Sequence, residues 1–391
     1  MNAYSPLMTA CDADRLEVVT SPERLAAVAP AWEELWRRAD GLVFQHPSWI
    51  QAWWATDPRQ DRRQLRIGLL WRGATLEAVL PFAIIERKGL RILEWAAKDH
   101  SDYGDCLASA EVTQAMLAGL WKGVVASGGF DMVYLNRLLP DAAAQALVTP
   151  PGKPALILRP NHRSEISYRV AGPWTKGAQW FESQSKKTRQ NYRRGRKVLE
   201  EAGELRFRLL GDDEPLEPLL ERVAALKRKW LERNERASDL FDEGAPALAA
   251  LVGTMAKLGI LRIFVLECAG RPIAISINFV QRGTMMAFVT TYDPDFERAS
   301  PGTVLMMDYI QWSIDRGLVM VDFLCGGEDF KRRFATQSQP LESVIGSRTA
   351  LGALAVAADG LTHRARSLHA KHGARWKRNR TAAVQRPDAE D

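Results

Sequence analysis

One order of elements is legible twice in this chain, and that duplication limits the fold more than any single motif. Leu65–Trp71 and Ala78–Ile85 read as a strand–turn–strand pair, because apolar runs flank the turn at Arg72-Gly73. The strand Leu90–Trp95 follows, then a polar loop (Lys98 to Asp105), a helix from about Glu111 to Ala126, and a buried strand, Met132–Leu135. The second half takes the same course. Leu261–Glu267 and Ile273–Val280 flank Gly270-Arg271, Met285–Thr291 follows, and the loop Tyr292 to Pro301 feeds a helix over Gly302–Arg316 and the strand Val319–Phe323. The openings match as well, Leu65-Arg66-Ile67 against Leu261-Arg262-Ile263. A duplicated α/β unit with mixed central sheets is the expected fold. Upstream lie a strand over Arg15–Val19, an amphipathic helix over Pro22–Ala39 with Trp32, Leu35 and Trp36 on one side, and a short helix from His46-Pro47-Ser48 to Trp54.

A chain of 391 residues, 46% hydrophobic with 13 Trp, can bury a large core and is long for one small domain. The expected division is 1–170, 171–348 and a basic tail over 349–391, helical at first. The net charge of +6 favours anionic partners, and much of it lies at 186–197 and 363–380. Cys11, Cys106, Cys268 and Cys325 share no CxxC spacing and read as reduced thiols, and the six His are too scattered for a zinc site. The N-terminus lacks the order of a signal peptide, and no apolar run reaches the roughly 18 residues of a membrane span. The expectation is a cytoplasmic protein whose membrane contact, if any, is peripheral. No helix-turn-helix or RNP-like string suggests nucleic-acid binding.

The strongest chemical feature is the passage from Met285–Thr291 through Tyr292-Asp293-Pro294 to Arg298-Ala299-Ser300-Pro301-Gly302-Thr303. A helix start exposes unpaired amides and the positive end of a dipole, which suits a diphosphate. Pro301 pre-sets the first turn, Gly302 leaves the backbone open, and Arg298 can add a bidentate contact. Taken alone, the same string also serves as an ordinary helix start.

The stretch from Tyr292 to Lys331, with Pro301-Gly302-Thr303, Asp322-Phe323 and Gly326-Gly327-Glu328-Asp329-Phe330-Lys331, resembles the C-terminal half of the CelD/BcsL-type acetyltransferases. Ser185-Lys186-Lys187-Thr188-Arg189 and the segment Phe44–Trp54 are also similar to that family, so the likeness covers roughly residues 40 to 340. That family belongs to the GNAT superfamily and acts in cellulose, holdfast and other exopolysaccharide pathways. The resemblance implies two GNAT-like folds in tandem, the second holding acetyl-CoA or another acyl-CoA. It places Val289, Thr290 and Thr291 along the pantetheine arm and Arg298, Pro301, Gly302 and Thr303 at the diphosphate. Pro301 replaces the first glycine of the superfamily's R/Q-x-x-G-x-G/A loop, so one amide donor is missing. The loop Ser101 to Ala110 of the first half has no such pattern, so that half is expected to bind no cofactor.

Acyl transfer to an amine needs a base, donors for the oxyanion and a proton or positive field for the leaving thiolate. Glu328 and Asp322 rank first as base, ahead of Asp293, and Tyr292 is a candidate acid. Each carboxylate has an alternative reading as a surface charge or helix cap. On the acceptor side stand Lys186, Arg189 and Arg193 of the basic helix, the polar loop with Asp102, Tyr103 and Asp105, and Lys331. The basic helix reads equally as an exposed charged helix, and Trp49, Trp53 and Trp54 as either a sugar platform or core. The expected acceptor is an amino sugar, nucleotide-linked or lipid-linked. The tail from His363 to Arg380 is a candidate site for cyclic di-GMP or an anionic membrane, or else a solubilising extension. Two further readings stay open. One is an aminoacyl-tRNA-dependent transferase like the FemABX enzymes, and the other a non-catalytic regulatory subunit of a polysaccharide synthase.

Overall fold

The hairpins close where the sequence places glycine. In the second half both turns are two-residue turns with both central residues at positive φ, Ala269-Gly270 at 50° and 73° and Arg282-Gly283 at 51° and 68°. That geometry matches the right-handed twist of the flanking strands. The computed structural model describes residues 14–211, 213–244 and 246–364.

The first half contains β1 (Asp14–Val19), α1 (Pro22–Arg38), α2 (Pro47–Thr56), β2 (Arg63–Arg72), β3 (Thr75–Arg87), β4 (Leu90–Trp95), β5 (Leu107–Ala108), α3 (Gln114–Ser127), β6 (Met132–Leu138), α4 (Gln145–Val148) and β7 (Arg159–Pro160). Next come β8 (Glu165–Val170), α5 (Gly177–Ser183) and α6 (Lys186–Ala202). The second half then runs β9 (Leu205–Leu209), α7 (Glu217–Arg233), α8 (Pro246–Lys257), β10 (Leu261–Cys268), β11 (Arg271–Gln281), β12 (Thr284–Tyr292), α9 (Pro301–Asp315), β13 (Met320–Cys325), α10 (Asp329–Phe334) and β14 (Gln337–Ser347). A helix over 350–364 ends the described chain. The duplicated order is therefore longer than the sequence reading proposed, since a strand and two helices precede the hairpin in both halves.

All 14 strands among the described residues join one mixed sheet, in the order β1-β2-β3-β4-β6-β14-β8-β13-β12-β11-β10-β9 with β5 and β7 at its side. The halves exchange strands at its centre. β8 precedes the second unit in sequence yet pairs with β13, at Asp322↔Arg169 and Cys325↔Ser167. β14 pairs first with β8 over Gln337–Leu341 and then with β6 over Glu342–Ser347. A boundary at residue 170 thus cuts the sequence but not the sheet.

The core follows the same logic. On α1 the buried side chains Leu25, Val28, Trp32 and Leu35 recur at helical spacing, and Ser21 caps the first turn by accepting the Arg24 amide at 3.2 Å. Trp49 and Trp53 of α2 are almost wholly buried and belong to the core rather than to a sugar platform. One cluster spans the halves. Phe44 packs edge-on against Phe279 at 5.7 Å and Trp49 against Phe288 at 5.7 Å. Exposing four such rings costs about 6–12 kcal/mol at about 1.5–3 kcal/mol each, comparable to the roughly 5–15 kcal/mol that stabilises a whole domain. A fragment of residues 171–348 also lacks β8. It is expected to show no cooperative thermal transition by circular dichroism, and a sharp transition would contradict the interlock described above.

Candidate functional site

β12 and β13 are parallel neighbours over only three pairs, Thr284↔Met320, Met285↔Val321 and Met286↔Asp322. Beyond Asp322 no residue of β13 pairs with β12, so a fork opens between them. β12 carries a bulge at the same place, where Ile277 faces Val289 but Asn278 faces Ala287. The extra residue, Phe288, sharpens the local twist and helps the strands separate. Val289, Thr290 and Thr291 line the open side of the fork, with the backbone groups of their β13-facing edge unclaimed by that strand. The Thr290 hydroxyl is 2.8 Å from that of Ser276.

At the mouth of the fork the chain turns through Pro294–Ala299 and starts α9. Ser300 adopts the left-handed conformation, at φ 53° and ψ 52°. Its carbonyl accepts the amides of Thr303 at 2.9 Å and Val304 at 3.2 Å. The Gly302 amide, in the first turn, has no intrahelical acceptor. A Cβ on Gly302 would stand 3.2 Å from the ring of Tyr292, and one on Gly195 would stand 2.5 Å from the carbonyl of Ala299. Tyr292 and α6 thus hold the loop from two sides. Gly195 was not singled out by sequence, although a glycine inside a long charged helix is a sign of close packing.

Asp293 is committed to this loop. It accepts the Asp295 amide at 3.1 Å and pairs with Arg222 at 2.6 Å and with Arg271. Burial alone would raise its pKa, but the Asp295 amide and the two guanidiniums outweigh it and hold the carboxyl below its ordinary range. Tyr292 and Asp293 lie six or more residues along the chain from Met286, about 20 Å of strand from the level of Asp322. They do not join the carboxylates at the base of the fork, which separates the candidates Tyr292 and Asp293 from Asp322 and Glu328.

The other cluster is built by both halves. In the first half the strand equivalent to β12 is broken. The Ala96 amide still bonds to the Pro81 carbonyl at 2.8 Å, then the chain leaves the sheet and returns at Leu107, opposite Val79. The excursion takes Asp102 and Tyr103 to the end of β13. The Tyr103 hydroxyl donates to Asp322 Oδ2 at 2.7 Å, and the Cys325 amide donates to Asp102 Oδ1 at 3.2 Å. Returning, the loop fills its own half's fork. Gly104 donates to the Arg137 carbonyl at 3.0 Å, and a side chain there would collide with the Trp95 indole and the Asn136 carbonyl.

Asp322 is 1% exposed. It accepts the Leu324 amide at 2.8 Å and Arg169 Nε at 3.0 Å besides the Tyr103 hydroxyl. Burial raises its pKa, and Tyr103, Arg169 and Leu324 offset part of that rise. Next to it, Lys331 Nζ donates to the Cys325 carbonyl at 2.6 Å and lies 3.2 Å from Glu328. Burial lowers the pKa of Lys227 on α7 to about 8, with Glu328 and Lys331 as its charged neighbours. Arg169 and Lys227 were missed by sequence reasoning, because nothing local to them marks their partners. Asp322, Glu328, Asp102, Tyr103 and Lys331 do come together.

Two expectations on the acceptor side change. Asp105 turns away and accepts the amides of Cys106, Ala143 and Ala144 at 2.7, 3.2 and 2.9 Å, capping the turn into α4. Burial outweighs these donors and raises its pKa to about 6. The cations of α6 do not form one open face. Arg189 donates to the Glu182 carbonyl, Arg193 lies over the Phe181 ring, and Arg196 turns inward to Asp308. α6 also runs antiparallel to α9, with Gly195 at Val304 and Tyr192 at Asp308, so Arg189 and Lys186 lie progressively farther from the α9 N-terminus. The tail beyond residue 364 lies outside the described residues. Among the described residues, no cluster of His, Cys, Asp and Glu could hold a metal ion, and no helix is long and apolar enough to cross a membrane.

Residues 186–332 match the sequence profile of an acetyltransferase (GNAT) domain. No curated protein sequence matches the chain. The fold is similar to that of the C-terminal domain of a lysylphosphatidylglycerol synthetase from Agrobacterium fabrum, at 12% identity and a TM-score of 0.50, covering 85% of this chain and 95% of that one. It is also similar to FemX, at 9% identity and a TM-score of 0.52, covering 84% of this chain and 96% of that one.

Proposed function

We propose that this chain, whose residues 186–332 match an acetyltransferase (GNAT) domain, is a GNAT-type acyltransferase that moves an acyl group from acetyl-CoA to the amine of an amino sugar. GNAT domains use acyl-CoA, and the groups at the second-half fork fit that co-substrate: a free first-turn amide at Gly302 and an open strand edge over Val289–Thr291. Arg298, Pro301 and Thr303 complete the diphosphate end. The co-substrate supplies the activated acyl group, and the remaining work falls to the chain's own side chains.

The observation that carries this reading is the hydrogen bond from Tyr103 to Asp322, which brings a loop of the first half to the apex of the second half's fork. Asp322 takes the proton of the attacking amine, with Tyr103 and Arg169 holding the carboxylate in place. An amide of β12 near the bulge serves the developing oxyanion. Asp102, Glu328, Lys331 and Lys227 border the acceptor. The first half binds no acyl-CoA in this reading, because its own fork is closed by Gly104 and Trp95.

The acceptor is a nucleotide-linked or lipid-linked amino sugar of exopolysaccharide or holdfast synthesis, made on the cytoplasmic side of the membrane. The resemblance of the stretch from Tyr292 to Lys331 supports that assignment. A transfer from aminoacyl-tRNA is the second reading, favoured by the fold shared with FemX. Incubation with acetyl-CoA and glucosamine or a nucleotide-linked glucosamine is expected to release coenzyme A thiol in step with sugar acylation. Absence of thiol release with every amino sugar tried, together with aminoacyl transfer from aminoacyl-tRNA, would favour the second reading instead.

A further inference from the structure

Val223 and Ala224 of α7 lie in the core cluster that also holds Val289 of β12 and Leu324 of β13. Lys227 stands four and three residues after them, so it follows one turn on along the same helix face. Its charged neighbours are Glu328 and Lys331, at the start of α10. The fold thus sets a third amine-bearing position beside the two that border the acceptor.

The other cations of this corner are committed. Arg169 meets Asp322 at 3.0 Å, and Arg137 meets Glu165 at 2.8 Å. Lys331 donates to the Cys325 carbonyl at 2.6 Å and lies 3.2 Å from Glu328. Lys227 differs. Its Nζ lies over the rings of Trp230 and Phe241, at 5.4 and 5.9 Å, and makes no hydrogen bond or ion pair among the described residues. The side chain is half-buried, but its Nζ keeps access to solvent. Two ring faces attract and orient an ammonium without supplying a counter-charge. Arg228 ties that frame together by donating to the Phe241 carbonyl at 3.1 Å. Burial meanwhile presses the amine toward its neutral form. An anion brought beside it would offset that pressure, whereas Glu328 is already spent on Lys331.

We propose that Lys227 is a specificity determinant that binds an anionic oxygen group, phosphate or carboxylate, carried by the acceptor sugar close to its reacting amine. A lysine suits this task because its compact charge imposes no fixed orientation on the partner. The amine then lies toward Asp322 and the anionic group toward α7. That placement of the amine rests on the acyl-transfer reading, whereas the preference for an anion does not.

Isothermal titration on the full chain without acyl-CoA tests the proposal, with glucosamine, glucosamine 1-phosphate and glucosaminuronic acid as probes. The wild type is expected to bind at least one anionic probe about 10–100-fold more tightly than glucosamine, the range of a hydrogen bond between charged groups. Lys227→Met keeps the apolar stem against the rings and removes the charge, and the preference should fall to within about threefold. Lys227→Arg should retain most of it. Lys122→Met, which takes the same charge from an exposed position of α3, should leave it unchanged. The probe that gains identifies the group as phosphate or carboxylate. No binding of either anionic probe, equal affinities for all three in the wild type, a preference undiminished in Lys227→Met, or an equal loss in Lys122→Met would overturn it. Thiol release separates the two claims. A wild type that prefers an anionic probe yet releases no coenzyme A thiol with it keeps the Lys227 site and removes the acyl-transfer reading.

Discussion

Asp322→Asn is expected to lower kcat for acyl transfer by about 10²–10⁴-fold, the range for loss of a positioned base, while the Kd for acetyl-CoA stays within about twofold. The amide has almost the same shape, and its single oxygen keeps the Arg169 and Tyr103 contacts made to Oδ2 while the Leu324 contact to Oδ1 is lost, so the fold should survive. What it loses is the ability to take a proton from the amine. The pH profile gives a second readout. Burial raises the Asp322 pKa, and a base works only when ionised, so activity should be greater on the alkaline side of its titration. It should be lost as pH falls through a limb above the ordinary carboxylate value of about 3.9. Tyr103→Phe removes one donor to the carboxylate and should move that limb to higher pH, with a smaller loss in kcat. Stopped-time assays across pH 4–9 check both. An Asp322→Asn enzyme within threefold of wild type would remove Asp322 from the chemistry and pass the role to Glu328.

Gly302→Val is expected to weaken acetyl-CoA binding by about 10–100-fold, which corresponds to the 1.5–3 kcal/mol of a hydrogen bond to a charged group. Two causes combine. The new side chain would cover the first-turn amide, and its Cβ would already sit at 3.2 Å from Tyr292. Folding should be little affected, because α9 is anchored elsewhere, by Val304, Leu305 and Met307 in the core. Isothermal titration of acetyl-CoA into both proteins measures the ratio, and equal affinities would place the diphosphate elsewhere. Gly195→Leu should act in the same direction through the carbonyl of Ala299, although it touches no part of the co-substrate.

The elements that follow local periodicity were legible. The strand–loop–helix passage into α9, the repeated hairpins and the polar loop at Lys98–Asp105 all announce themselves through glycine turns, apolar runs and a Pro-Gly start. What stayed hidden depends on partners far away in sequence. Glu165–Val170 and Gln337–Ser347 are partly polar strands, and nothing in them says that each pairs into the other half's sheet. The polar loop could be placed near an acceptor, but not against Asp322, which lies 219 residues from Tyr103. The basic helix misled for a related reason. Its cationic spacing resembles an open binding face, yet Asp308 draws Arg196 inward, and packing at Gly195 fixes which side is buried. Tyr292 and Asp293 look catalytic because they are close in sequence to the fork, but the length of β12 separates them from its apex.

The location of bound coenzyme A in a co-crystal tests the account most directly. The diphosphate should rest on the Gly302 amide, with the pantetheine arm between β12 and β13 and the sulfur near Asp322. A diphosphate seated in the first half, or on the outer face of α6, would contradict it.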